Sequence, residues 1–210
     1  MEYELTNTRF NQYLLAFNKH LLETTVLDSS DSHPGDKQSQ SLFSFTNSTV
    51  KTVAQEKKYV LNQIKVRHPE SPNRSLLVTF TISYDDFFTC PVFYFRIFEE
   101  VEIENETKSR ALLTIEDMDE SFQHLLGIHS EIRKFTNISF DSHHMSPTSD
   151  IWMYLHPCDT KDVMRSFKMF HRNTSEEQQV LDYFTLWYNT FGMGALFPRL
   201  CLRIKPTALS

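Results

Sequence analysis

Residues 76–101 read LLVTFTISYDDFFTCPVFYFRIFEEV and contain two runs rich in β-branched and aromatic residues. These runs, Leu76–Tyr84 and Pro91–Val101, have the composition and length of strongly apolar β-strands. Two earlier runs, Leu42–Val53 and Lys58–Arg67, alternate apolar and polar residues less regularly. Because the connections between the runs are short and polar, we expect sequential antiparallel pairing in a four-stranded meander.

Helical patterns flank this predicted sheet. Apolar residues recur at helical spacing over residues 7–24. After the sheet, Ile115–Leu126 begins with acidic residues and continues with an apolar face, and Lys161–His171 also has a helical pattern. Thr174–Gln178 supplies a capping box for a last helix. The order of helix, antiparallel sheet and helices predicts an α+β fold.

The length of 210 residues predicts a single domain, residues 1–210, and the chain has no internal repeat. Residues 28–41 are polar and include a Pro-Gly pair, which predicts a flexible loop too short to separate two domains. Residues 128–150 have no clear period, so we expect a long connection there. Loops of that length are often functional, and we place this one close to the site described next.

Composition and charge exclude several functional classes. A net charge of −6 argues against nucleic-acid binding, which needs clustered lysine and arginine. No apolar run approaches the roughly 20 residues that span a bilayer, and the first residues do not form a secretory signal. The three cysteines are odd in number and widely spaced, which indicates a reducing compartment. Histidine and cysteine spacings match no standard metal site, so we expect neither a metal nor a cofactor. The missing secretory signal, the missing apolar span and the cysteine usage together predict a cytoplasmic protein.

One cysteine stands between the end of an apolar run and a series of helix-start residues, in WMYLHPCDTKDVM (residues 152–164). Pro157 fixes its own φ and disfavours a helical conformation at His156, so the chain arrives extended and then turns. Asp159 or the next residue can cap the following helix, which places Cys158 just before a helix N-terminus. Unsatisfied N–H groups there favour a thiolate, so Cys158 is a candidate nucleophile.

Burial as a packing residue is the competing interpretation of Cys158. Free cysteines are among the most buried residue types and usually behave as small hydrophobic groups. The sequence around Cys158 leaves both interpretations open. Cys90 and Cys201 lie inside apolar, strand-like runs, and for these two we expect packing roles.

Leu155-His156-Pro157-Cys158 resembles the LHPC active-site motif of the E2-like conjugating enzymes of autophagy. The family includes autophagy-related proteins 3 and 10, and further similarities favour the second branch. Pro91–Arg96, PVFYFR, resembles a strand of that branch, and the aromatic residues between Tyr183 and Gly192 resemble its final helix. The resemblance covers about residues 58–200, and the combination of LHPC with PVFYFR is more specific than either motif alone.

The resemblance implies a UBC-like core with an N-terminal helix, a four-stranded antiparallel sheet and C-terminal helices. It also implies that Cys158 accepts the ubiquitin-like autophagy-related protein 12 as a thioester from the E1-like autophagy-related protein 7. The modifier then passes to a lysine of autophagy-related protein 5, with recruitment to the preautophagosomal structure. His156 and Tyr94 are the candidates to orient the cysteine or to stabilise the oxyanion. The alternatives are that His156 only shapes the turn and that Tyr94 is a core residue.

Two other functions stay open at this point. A cysteine hydrolase would use Cys158 with a distant histidine, although no hydrolase signature surrounds it. A non-enzymatic adaptor would bind a partner through its aromatic strands and keep Cys158 as a structural residue.

Overall fold

The computed structural model describes residues 5–27, 43–53, 57–67, 71, 73–104, 106–126, 138–143, 150–167, 174–196 and 200–202. In chain order the elements are α1 Asn7–Thr24, β1 Thr25–Leu27, β2 Phe43–Thr52, β3 Lys58–Arg67, β4 Arg74–Asp85, β5 Cys90–Ile103, β6 Glu106–Leu112, α2 Ile115–Leu126, β7 Ile138–Ser142, β8 Ile151–Leu155, α3 Thr160–Ser166, α4 Glu176–Phe191, α5 Met193–Leu196 and β9 Leu200–Leu202. The α+β class is confirmed. No helix in the described ranges is long and apolar enough to cross a membrane.

The predicted meander forms one side of a larger sheet, with β2 at the edge. Strands β2, β3, β4 and β5 pair in sequence and antiparallel, and every one of the four runs predicted as strands is a strand. Within the described residues the sheet has seven strands rather than four, because β8 and β7 extend it beyond β5 and β6 pairs with another part of β5. Strand β5 is long enough to hold two partners along one edge, with Ile97–Ile103 paired to β6 and Tyr94–Phe95 paired to β8.

Helices α1 and α4 pack on one face of this sheet. Phe17 of α1 stacks on Phe184 of α4 with ring centroids 4.4 Å apart, and both side chains are fully buried. The predicted helix at residues 7–24 has the same bounds in the structure, and Thr6 caps it by accepting a hydrogen bond from the N–H of Arg9. Ser175 caps α4 in the same way, accepting from the N–H of Gln178, as its capping box predicts.

Two expectations about the second half of the chain are wrong. Helix α3 ends at Ser166 rather than at residue 171, because Phe167 has an extended backbone conformation. The stretch 128–150, expected to be a connection without elements, contains β7 at Ile138–Ser142, which pairs with β8 over its whole length. Residues 28–41, predicted to be a flexible loop, lie outside the described residues.

Strand β5 separates two environments that matter for the site. Phe93, Phe95 and Ile97 point into the core under the helices. Val92 and Tyr94 point to the opposite face, where they form a second, smaller cluster with Trp152 of β8. Successive side chains of a strand alternate between faces, so a single strand supplies both clusters. Strand β8 therefore leaves the sheet beside Tyr94 and leads directly to the candidate cysteine.

Candidate active site

Cys158 occupies an exposed turn between the sheet and a short helix. Strand β8 ends at Leu155, a one-turn 3-10 helix covers Pro157–Asp159, and α3 begins at Thr160. Pro157 stands at the first position of the 3-10 helix, where its missing N–H costs nothing. The predicted sharp turn before a helix is therefore present, and the exposure of Cys158 contradicts the packing interpretation of this residue.

His156 caps this turn. Its Nδ1 atom accepts a hydrogen bond from the backbone N–H of Cys158 at 3.2 Å. With Nδ1 as the acceptor, the neutral ring carries its proton on Nε2. Asp159 stands at the predicted cap position before α3. The prediction that its side chain caps the helix is wrong, because that side chain makes no capping hydrogen bond. Because α3 has only seven residues, its dipole is also weaker than that of the helix expected from the sequence.

The turn between β4 and β5 supports His156 from the side. The ring of Phe88 meets the imidazole edge-on, with centroids 5.1 Å apart and an interplanar angle of 78°. Asp85 orders this turn, because its Oδ1 atom accepts hydrogen bonds from the N–H groups of Phe87 at 2.8 Å and Phe88 at 3.0 Å. Phe88 is thus held in place by local hydrogen bonds before it contacts His156.

The same turn is tied to the start of α3. Thr89 has a φ of 54°, a left-handed conformation that β-branched residues rarely adopt. The ammonium group of Lys161 donates to the hydroxyl of Thr89 at 2.9 Å. Lys161 belongs to the first turn of α3, so this bond connects the helix that follows Cys158 to the β4–β5 turn.

Tyr94 lies behind this turn, on the face of the sheet away from the helices. It pairs in register with Tyr154, and the two rings are 5.2 Å apart. Tyr154 in turn lies 6.0 Å from the ring of His156. Burial, assisted by the negative charge of Asp85, raises the pKa of the Tyr94 hydroxyl well above its usual range. Tyr94 therefore keeps its hydroxyl proton, and the ring of Tyr154 lies between its ring and that of His156.

The two other cysteines lie in strands. Cys90 begins β5 and is buried, and burial together with the negative charge of Asp85 raises the pKa of its thiol to about 12. Such a thiol carries almost no thiolate at neutral pH, which fits the packing role expected for it. Cys201 lies in β9, where its backbone pairs with Val26.

Sequence reasoning missed Phe88 and Tyr154, which touch His156 from two sides. No sequence pattern identifies Phe88 as a site residue, because an aromatic residue in a turn between strands has many structural explanations. Tyr154 was detectable in principle, because it stands two residues before His156 on the strand that leads to the cysteine. His143 also has a defined place: it is buried against Tyr94, with ring centroids 4.4 Å apart.

Chemically, the arrangement offers an exposed sulfur on a turn with a fixed backbone. The Nδ1 atom of the neighbouring imidazole accepts a backbone N–H, and among the described residues the ring contacts of this imidazole are with aromatic side chains. Nothing among these contacts resembles the carboxylate that orients the histidine of a hydrolytic triad.

The chain is similar to known proteins over almost its whole length. The family model of the autophagocytosis associated protein, active-site domain, matches residues 5–199. A ubiquitin-like-conjugating enzyme, ATG10 of Candida albicans (strain SC5314 / ATCC MYA-2876), is 22% identical over 199 residues, which cover 95% of this chain and 92% of that protein.

One solved structure supports the fold. The crystal structure of the autophagic E2 Atg10 superimposes with a TM-score of 0.50 at 12% sequence identity, covering 92% of this chain and 98% of the other. The solution structures of KmAtg10 give a TM-score of 0.44 at 13% identity. The resemblance drawn from LHPC and PVFYFR is confirmed, and the chain belongs to the family of autophagocytosis associated proteins that share this active-site domain.

Proposed function

We propose that the protein is an E2-like conjugating enzyme that carries a ubiquitin-like modifier as a thioester on Cys158. The observation that carries the proposal is the contrast between two cysteines of one chain. Cys158 is exposed on a turn capped by His156, while Cys90 is buried and its thiol has a pKa of about 12. The family match and the name of the Candida relative support the same class of enzyme.

The reaction consists of two acyl transfers. The Cys158 thiolate attacks the carbonyl carbon of the modifier's C-terminal glycine, which is bound to the cysteine of an E1-like enzyme, and the E1 cysteine leaves as a thiolate. The amine of an acceptor lysine then attacks the new thioester. An isopeptide bond forms, Cys158 leaves as a thiolate, and the amine gives up its proton to solvent. By resemblance, autophagy-related proteins 7, 12 and 5 are the E1-like enzyme, the modifier and the acceptor.

His156 and Tyr94 have supporting roles in this proposal. His156 restrains the backbone that carries the Cys158 side chain, because its Nδ1 atom accepts a hydrogen bond from the N–H of Cys158. With Nδ1 already used as an acceptor, His156 acts by positioning rather than by taking a proton. Tyr94 keeps its hydroxyl proton and acts through Tyr154, whose ring separates it from His156.

A cysteine hydrolase fits these contacts less well. A hydrolase needs a ring nitrogen directed at the sulfur and a third group that orients the ring. In this site Nδ1 points to a backbone N–H, and Phe88 and Tyr154 occupy the sides of the ring. An adaptor with a structural cysteine would not need an exposed sulfur.

Replacement of Cys158 by serine tests the proposal. With the E1-like enzyme, ATP and the modifier, we expect the wild-type protein to form an adduct that a thiol reductant cleaves. The Cys158→Ser variant should form either no adduct or an ester that resists the reductant, while Cys90→Ser should still form the thioester. A reductant-sensitive adduct that persists in Cys158→Ser at the wild-type level would refute the assignment.

A further inference from the structure

The face of the sheet opposite α1 and α4 carries a groove of about 440 Å³. Its floor consists of side chains that alternate with the buried core residues of β3, β4 and β5, and Tyr59, Leu61 and Phe98 give it an apolar and aromatic character. Trp152 forms one wall. A volume of this size is typical of sites that bind the side chains of a ligand rather than a single water molecule.

The two charged side chains that line the groove are both cations. Lys51 and Arg96 line it, and no aspartate or glutamate among the described residues does. The guanidinium of Arg96 stacks over Trp152 at 5.6 Å from the ring centroid, which holds this cation at the wall.

Acidic residues lie beside the groove and not in its lining. Asp150, which is about half exposed, pairs with Arg96 at 3.2 Å. Glu100, two residues along β5 from Phe98 and on the same face, pairs with Lys65 at 3.1 Å.

Strand register gives the separation of the two cations. Lys51 lies opposite Tyr59, whereas Arg96 lies at the level of Thr79 and Gln63, on the third strand from β2. The two residues are three interstrand spacings apart across the sheet and four residues apart along the strands. Their Cα atoms are therefore roughly 20 Å apart. An extended peptide covers this distance with about six residues. The apolar floor lies between the two ends.

We propose that this groove docks an extended acidic segment of a partner protein. Two carboxylates of the segment pair with Lys51 and Arg96, and apolar side chains between them cover Tyr59 and Trp152. The carboxylate at the Arg96 end takes the place of Asp150. The indole N–H of Trp152 is buried without an acceptor among the described residues, and a carbonyl of the segment can supply one as the wall adjusts.

The docking site is tested separately from the thioester chemistry, although its wall residue Trp152 packs in one cluster with Tyr94. The groove binds its partner non-covalently. Binding is therefore measured on the isolated full-length protein, without E1-like enzyme, ATP or modifier. A failure of the thioester assignment therefore leaves the binding result unaffected, and a failure of binding leaves the assignment unaffected.

The experiment uses a fluorescein-labelled peptide with one glutamate near each end and phenylalanine and leucine between them, the two acids separated by the predicted distance. We expect saturable binding by fluorescence anisotropy that weakens as salt is added. The Lys51→Gln and Arg96→Gln variants should each bind roughly three- to tenfold more weakly, and Asp150→Asn should bind more tightly because the competing carboxylate is gone.

Lys108 provides the matched control. It is an exposed lysine next to Ser109 of the groove, but on the opposite face of β6, so Lys108→Gln should bind like the wild type. Circular dichroism confirms that each variant is folded, and Lys51 is exposed on an edge strand where the substitution costs little stability. A peptide with glutamine in place of both glutamates should lose most of its affinity.

Four results would overturn the proposal. The first is the absence of saturable binding at millimolar peptide, and the second is equal binding of the glutamine peptide. The third is equal weakening in Lys108→Gln. The fourth is a concentration-dependent dimer in sedimentation that Lys51→Gln and Arg96→Gln abolish, because the occupant of the groove is then a second copy of this chain.

Discussion

The backbone N–H of Cys158 donates a hydrogen bond to Nδ1 of His156, two residues earlier in the chain, at 3.2 Å. The bond closes a small ring that includes Pro157, whose φ is already restricted. The two restraints together fix the backbone at Cys158 and therefore the direction of its Cα–Cβ bond. The imidazole therefore acts in this turn as a local cap, the part that asparagine and aspartate side chains commonly play.

Substitution of His156 distinguishes a cap from a proton acceptor. We expect His156→Ala to slow thioester formation by about ten- to a hundredfold, because the turn loses its restraint and the sulfur samples unproductive directions. His156→Asn should recover most of the rate, since its side-chain oxygen can accept the same N–H. The measurement is the single-turnover rate of charging from a preloaded E1-like enzyme.

The rate of the asparagine variant decides between the two roles. A positioning role predicts that His156→Asn charges at close to the wild-type rate, because the asparagine oxygen accepts the N–H of Cys158 in place of Nδ1. If the asparagine variant is as slow as the alanine variant, the imidazole itself is required and the positioning role is wrong.

Phe88 and Phe87 form a natural pair for testing the support of His156. They are adjacent and of one residue type, but Phe88 contacts the imidazole edge-on while Phe87 is 86% exposed. Phe88→Ala should slow charging by about tenfold, because His156 loses a neighbour that fixes its ring. Phe88→Tyr preserves the ring and should be close to wild type.

Phe87→Ala is the control, and its single-turnover charging rate should change much less than that of Phe88→Ala. Equal losses in the two alanine variants would mean that the turn as a whole is needed and that Phe88 has no specific part in holding His156. Unfolding by urea, measured in parallel, separates this effect from general instability.

Cys158 and Cys90 should differ sharply in reactivity. At about pH 8 a thiol with a pKa of about 12 has a thiolate fraction near one in ten thousand, and Cys90 is also shielded from solvent. We expect iodoacetamide to label Cys158 of the folded protein within minutes and Cys90 only after unfolding, as mass spectrometry of the digested protein can measure. Rapid labelling of Cys90 in the native state would contradict its burial.

Much of the fold was predictable because its elements have strong local patterns. The central strands are dense in β-branched and aromatic residues, and helix α1 has both a capping threonine and a regular apolar face, so local and tertiary preferences agree. Strand β7 was missed because its sequence ISFDS is short and half polar, and only pairing with β8 makes it a strand. Long-range pairing of this kind has no local signal.

The candidate site was predictable only in part. Pro157 and its neighbours encode the turn locally, so the turn followed from a few adjacent residues, whereas these residues left open whether Cys158 is exposed or buried on it. The contact of Phe88 with His156 joins positions that are 68 residues apart in the chain and depends on how the β4–β5 turn folds over the end of β8. Such a contact requires the register of the whole sheet, which composition does not specify.

The buried carboxylate of Glu99 in strand β5 allows the pH dependence of the protein's stability to be tested. Glu99 is 7% exposed and is held between the guanidinium groups of Arg74 and Arg110, which also pairs with Asp117 of α2. Burial by itself would raise the pKa of Glu99, but hydrogen bonds and charge from the two arginines outweigh it and lower the pKa below its usual range. Glu99→Gln should destabilise the protein by about 1–3 kcal/mol at neutral pH.

The lowered pKa sets the direction of the pH effect. The charged form of Glu99 is favoured by folding, so its contribution is complete above the unfolded-state pKa, near 4.5, and is lost as the pH falls through the lower folded-state pKa. Urea unfolding at a series of pH values should therefore give a difference between wild type and Glu99→Gln that is constant from neutral pH to about pH 5 and shrinks below it. A difference that stays the same down to about pH 3 would mean that the variant loses packing rather than the charged pair, because the packing lost with the carboxylate does not titrate.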